Sequence, residues 1–231
     1  MTGAMSDHGK SNIFLGASGI AILVGILVAQ SVFPGYDASK SAISDLGSPI
    51  ELVYHGTPGV LTLEQPASAI LIGSLLLFSI LLLMAARSLR LVVHRKWFGR
   101  FLMLYGIGAL LLVLSYVPYY EFSGQLIQGT FTADPLPLKI GALLHLLGAA
   151  FLFLFGASFT LSSRSLLKRP ANTAALLVGT LILVAFALNL AGLDLGLGAG
   201  GMERLSSYPL FAWTMIAGGY LHYSFRQDSG D

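Results

Sequence analysis

Six stretches of this chain, 12–33, 65–86, 101–120, 140–163, 170–193 and 205–225, contain no Asp, Glu, Lys or Arg. Crossing a hydrocarbon core of ~30 Å takes roughly 20 apolar residues in a helix. Each stretch has about that length. In lipid every peptide group needs a partner within the protein, so only helices and closed barrels span. None of the six alternates with the period of two that a barrel strand requires. The sequence therefore predicts an all-α polytopic membrane protein, a six-transmembrane-helix bundle. With 55% hydrophobic and only 10% charged residues, the 231-residue chain has too little polar surface for a soluble globule.

The remaining composition removes whole classes of chemistry. There is no cysteine, hence no disulfide framework, thiolate metal site or thiol nucleophile. A net charge of +2 is too small to point to a nucleic-acid partner, and none is expected. The first apolar stretch exceeds the usual h-region of a signal peptide and has Asp7 in its leader, so it is read as a retained helix. No cofactor is implied. The motif-like glycines Gly196, Gly198 and Gly201 match G-x-G-x-x-G but follow a membrane helix rather than a strand. They read as a flexible linker.

Charge placement orients the bundle. Of 13 Lys and Arg, only Lys40, Lys139 and Arg204 fall on the side that carries the loops 34–64, 121–139 and 194–204. The positive-inside rule then puts both termini in the cytoplasm. On that reading 1–11 is a cytoplasmic N-terminal segment, 12–225 the transmembrane domain and 226–231 a cytoplasmic tail. The longer loops lie outside the cell membrane, and loops are where binding residues concentrate.

The first of these loops carries the most specific pattern. Phe33-Pro34-Gly35-Tyr36-Asp37 ends the first span, and 38–46 is long enough for two helical turns. Asp37 suits its N-cap and Gly47 the position beyond its last turn. Ile43 and Leu46 share a face, so the segment reads either as an interfacial helix lying over the mouth of the bundle, apolar side down, or as a solvated connector whose Asp45 merely faces water. The motif, with Ile43-Ser44-Asp45-Leu46-Gly47, a lone His145, Glu203-Arg204, Tyr208-Pro209 and Trp213, resembles the prokaryotic six-helix membrane family catalogued as domain of unknown function 998. The resemblance implies the fold and a prokaryotic cell membrane; the family's biochemistry is unknown. Where relatives place an Asn at the start of the second helix, this chain reads Gln65-Pro66-Ala67.

Ionisable groups at membrane depth are costly and mark function. His145 lies about 10 Å inside the fourth helix at 1.5 Å per residue. Gln30, Ser31, Ser68, Ser115, Asn189 and Tyr208 fall at the same outer level, while the inner half keeps mainly Ser and Thr. His145 is read as a cross-helix hydrogen-bonding residue, as a binding or proton-handling group, or as a metal ligand. The last is disfavoured because no second His stands at i+3 or i+4; His55 with Asp45 or Glu203 gives it no support from spacing. Glu203 and Arg204 are either interfacial anchors or parts of one network with Asp45 and His145, with Asp45 or Glu203 contacting Arg204.

The candidate ligand-binding residues are thus Asp45, His145, Asn189, Glu203, Arg204 and Tyr208, with His145 and Asp45 as candidates for acid–base catalysis should any reaction occur. Three functions follow: a polar pocket toward the extracytoplasmic side for a lipid-like or small amphiphilic molecule, a non-catalytic accessory or structural subunit, or a small-solute transporter. Zinc-dependent intramembrane hydrolases have an HxxxH pair that this chain lacks. Membrane lipids are the expected partners. The orientation has a direct test on the natural cysteine-free background. A cysteine at Ser123 is expected to react with an impermeant reagent in whole cells and one at Ser165 to stay unlabelled; the reverse pattern inverts the topology.

Overall fold

Apolar stretches obliged to satisfy their own peptide groups become helices, and in the computed structural model six do. The structure describes residues 2–33, 35–47, 65–92, 96–127 and 136–229. The helices are α1 (Thr2–Val32), α2 (Gln65–Val92), α3 (Lys96–Ile127), α4 (Leu136–Ser163), α5 (Ala171–Leu190) and α6 (Gly198–Ser229), with a short 3-10 turn at Ser44–Gly47. Most helices outrun the apolar stretches that predict them, because polar and charged residues continue a helix beyond the hydrocarbon at no cost in hydrogen bonds. His55 lies outside the described residues.

Among the described residues five helices are long and apolar enough to cross a membrane, over Asn12–Val32, Pro66–Leu89, Trp97–Pro118, Lys139–Ser163 and Ala171–Leu190. The expected sixth, in α6, does not reach that hydropathy. The reason is visible in its packing: Ser206, Ser207 and Thr214 are buried against other helices rather than turned to lipid. Thr214 bonds back to the Leu210 carbonyl at 2.9 Å and approaches the Tyr105 hydroxyl at 3.3 Å. A helix surrounded by protein can carry polarity that a lipid-facing one cannot.

Neighbours in sequence pack as neighbours in space from α1 to α4, and α6 closes the ring by contacting both α4 and α1. α5 lies in the outer groove between α4 and α6. Lipid-facing Leu177, Val184 and Leu190 leave its outer side open. The centre is aromatic: Phe78 of α2 meets Tyr105 of α3 and Phe211 of α6 edge-on at 5.4 and 5.3 Å. Small hydroxyls are largely satisfied on their own helices, as expected, for example Ser18 on Leu15 and Thr160 on Gly156. Ser79 instead donates across to the Gly106 carbonyl of α3 at 2.9 Å.

The α1–α6 contact depends on missing side chains. A Cβ on Gly218 would run into the backbone of Gly16, and one on Gly19 would stand 2.6 Å from Met215 N. Without a hydrophobic drive between helices in lipid, such close backbone approach supplies the packing energy. Gly218→Ala is expected to lower stability by ~1–3 kcal/mol through overpacking. Gly219, with nothing within 4 Å, is the control, and its change to Ala should be neutral or gain up to ~1 kcal/mol in helix propensity. Thermal unfolding in detergent ranks the two; equal behaviour would remove the seam from the account.

Candidate functional site

The loop after α1 does not form the expected continuous helix over 38–46. Asp37 uses one carboxylate oxygen on both the backbone N–H and hydroxyl of Ser39, at 3.0 and 2.7 Å. A single turn follows, with Ser41 N–H on the Asp37 carbonyl at 2.8 Å. The chain then breaks and re-enters a 3-10 turn, where Asp45 accepts the Ala42 N–H at 2.7 Å. Asp37 thus caps one turn and Asp45 starts another, each through the local side-chain bonds that compete with a longer helix. The apolar side does face down: Ile43 and Leu46 are buried. Asp45 is exposed. Gly47 is no terminal cap but a contact surface, pressed on the ring of Tyr116, whose hydroxyl donates to the Ser44 carbonyl at 3.0 Å.

An irregular loop leaves peptide groups without partners, and the start of α6 supplies them. Glu203 Oε2 accepts the Ile43 N–H at 2.7 Å and the Ser44 N–H at 3.4 Å. Arg204 donates from Nη1 to the carbonyls of Ser41 and Gly200, at 2.9 and 2.8 Å, and from Nη2 to the Tyr36 hydroxyl at 2.6 Å. Tyr36 in turn donates to the Ala42 carbonyl at 2.7 Å. Its ring lies under the guanidinium, 5.4 Å from Cζ. The carboxylate contact expected for Arg204 is therefore replaced by carbonyls and a phenol; among the described residues no carboxylate oxygen lies within 4.0 Å of it. Neutral acceptors suffice because the loop backbone, which would otherwise be stranded, needs a donor as much as the arginine needs acceptors.

The glycines read as a flexible linker make this contact possible. α6 begins at Gly198, and a Cβ there would stand 2.7 Å from the Ser39 carbonyl oxygen, with φ at +70° besides. Gly200 faces the Ser41 carbonyl just as closely. They form a rigid first turn against which the loop backbone lies flat.

Beneath the loop is a cavity of about 50 Å³. Its walls are largely apolar: Ile22 and Ile26 of α1, Leu71 and Leu75 of α2, Leu112 of α3, Leu152 and Phe153 of α4, Phe211 of α6. Ile43 and Ser44 of the loop also line it, and so do Tyr116, His145, Glu203 and Ser207. α5 contributes nothing to the lining. His145 is half-buried, with Nδ1 3.3 Å from Ser115 Oγ and its ring edge-on to Tyr116 at 6.0 Å.

The remaining candidates fall into other places. Gln30 Nε2 donates to the Tyr208 hydroxyl at 3.0 Å, tying α1 to α6 beside the cavity rather than in it. Asn189 is half-buried near the end of α5, where its carbonyl accepts the Gly192 N–H at 3.0 Å. Ser31 bonds its own helix at Val28. The level of polar groups read from the sequence thus resolves into two cross-helix pairs, Ser115–His145 and Gln30–Tyr208. Tyr36 and Tyr116 organise the loop, although the sequence presents Tyr36 only as part of the 33–37 motif and Tyr116 only as an aromatic at a span end.

Electrostatics follow from the packing. Glu203 borders the cavity from under the loop, ahead of the apolar stretch of α6. Burial pushes it up to about 7, against the Ser44 and Ile43 N–H groups and Arg204, which favour the charged form. Burial likewise pushes Tyr36 up to about 12 despite Arg204. Exposed Asp37 is held down at about 2 by the Ser39 bonds.

A ring of long apolar helices, with a loop clasped onto α6 at one end, is a multi-pass α-helical membrane protein. The chain belongs to the family described as protein of unknown function, DUF998, whose model matches residues 16–220. No curated protein and no solved structure matches it.

A carboxyl raised in the folded state stabilises the protein fully below its ordinary value near 4.5, and that contribution is lost as pH rises through about 7. The melting temperature in detergent is therefore expected to fall between pH 4.5 and 7.5. Asp37 works in the opposite sense but below this window. Glu203→Gln should flatten the slope; an unchanged slope would move its origin elsewhere.

Proposed function

We propose that this protein binds a small amphiphilic or lipid-like molecule in the cavity beneath the 35–47 loop. The reading places that end of the bundle on the extracytoplasmic side, both termini in the cytoplasm and α6 across the membrane as a sixth span. One observation carries it: two ionisable side chains, Glu203 and His145, border the same largely apolar space. A bundle that needed only to pack would fill such a space with Leu or Phe, since ionisable groups away from water are expensive and unfilled volume is destabilising. Apolar walls with a few convergent polar groups are the usual composition of a ligand site.

The size sets how it would work. At roughly 10–15 Å³ for each water-sized centre, a cavity of about 50 Å³ takes a polar head or a short chain. Anything larger requires the loop to lift, which breaks the bonds of Ile43, Ser44 and Ser41 to Glu203 and Arg204 together. Asp45, exposed on the loop, stands at the rim, and Arg204 holds the cover; Tyr208 and Asn189 support the helices around it.

Native mass spectrometry of protein extracted from its own membrane tests this. The wild type is expected to retain a one-to-one adduct, and Ala149→Leu, which adds three carbons to the cavity wall, to lose it while keeping its fold. Adducts retained equally by both forms would put the bound molecule on the outer surface and defeat the reading.

A further inference from the structure

Resting on the pocket reading above, the partners already made inside the cavity indicate what kind of head group it takes. Arg204, the group expected to receive an anion, is not among the lining residues. Its Nη1 and Nη2 donors are engaged by Ser41, Gly200 and Tyr36. Tyr116 directs its hydroxyl hydrogen to the Ser44 carbonyl. Ser115 spends its own on the Leu112 carbonyl at 2.6 Å, so toward His145 Nδ1 it can offer only a lone pair. That fixes the proton on Nδ1 and leaves Nε2 as an acceptor. Glu203 commits Oε2 to the loop, and Oε1 has no hydrogen-bond partner among the described residues. The charged and ring groups of the lining thus present acceptors, Glu203 Oε1 and His145 Nε2, while the hydroxyls of Ser44 and Ser207 can accept as well as donate.

We infer that the cavity selects a primary ammonium head on an apolar chain, seated between Glu203 Oε1 and His145 Nε2, and rejects carboxylate and phosphate heads. An ammonium brings donors only, three of them, to a site that offers acceptors. An anion would meet a carboxylate and a lone pair. The charges that act on Glu203 are Asp45 on the loop and Arg204 on its own helix, while Asp37 and Lys40 of the loop pair with each other; the other titratable groups about it are Tyr36, Tyr116 and His145. The lining of α1 and α2 is aliphatic. With Glu203 ionised these charges sum to minus one, which a monocation balances. The Glu203 carboxyl near 7 adds that an ammonium should hold it ionised and bind less well in acid.

The test uses Ser207→Cys in the otherwise cysteine-free protein, labelled with methyl methanethiosulfonate at pH 8 in the presence of butylamine, butanol or butyrate. Butylamine is expected to slow labelling about tenfold, a difference of ~1.4 kcal/mol, and butyrate to leave it unchanged. Adding Glu203→Gln should abolish the protection, since the amide oxygen still accepts the loop N–H groups but carries no charge. Should that variant fail to fold, the protection by butylamine, taken against the ligand-free rate at each pH, must still fall several-fold from pH 8 to pH 5.5. Protection by butyrate, equal protection by butanol, or protection that survives Glu203→Gln or acid overturns the ammonium inference and leaves the pocket standing. A cysteine that reacts with none of the three protecting, or that never reacts, overturns the pocket itself.

Discussion

A loop laid across the end of an apolar bundle exposes peptide groups to a place where water is scarce, and Glu203 and Arg204 answer that constraint together. The carboxylate takes the N–H groups of Ile43 and Ser44; the guanidinium takes the Ser41 carbonyl and the Tyr36 hydroxyl. Everything else at that end follows. The 3-10 turn can present Ile43 inward only because its N–H groups are satisfied from the side. α6 can reach the loop only because Gly198 and Gly200 carry no side chain. The cavity exists because the loop is held above it rather than collapsed into it.

The same clasp explains why an arginine at a membrane edge needs no acid. Its charge is met by the carbonyls of Ser41 and Gly200 and by an aromatic face. Glu203 is thereby left with one oxygen uncommitted among the described residues, at the cavity that His145 also lines. Two adjacent residues of opposite charge serve different spaces, Arg204 the cover and Glu203 both the cover and the room beneath it.

The helices were legible because lipid allows so little else: length and the lack of charge suffice to place all six. The extent of α6 was not, since Gly196–Gly201 has the composition of a linker and only the close approach of Ser39 and Ser41 makes those glycines a packing surface. Its hydropathy fell short for a related reason, as Ser206, Ser207 and Thr214 face protein. In the loop, burial of Ile43 and Leu46 was readable from their spacing. The break at 42 was not, because Asp37 and Asp45 each had two local options and the tertiary contact with Glu203 chose between them. His145 and Glu203 were visible as improbable residues in an apolar chain. That they border one cavity while Arg204 turns away required the direction of side chains, which one-letter spacing does not carry.

The clasp joins positions separated by 160 residues, Ile43 and Glu203. As the chain is synthesised, the loop leaves the first helix long before its partners on the last helix exist. The cover therefore belongs to the final step of assembly, and a chain interrupted ahead of α6 has its bundle ring unclosed and its loop backbone unanswered. A quality-control protease reading exposed loops would find in this one a direct report of whether the last helix has arrived.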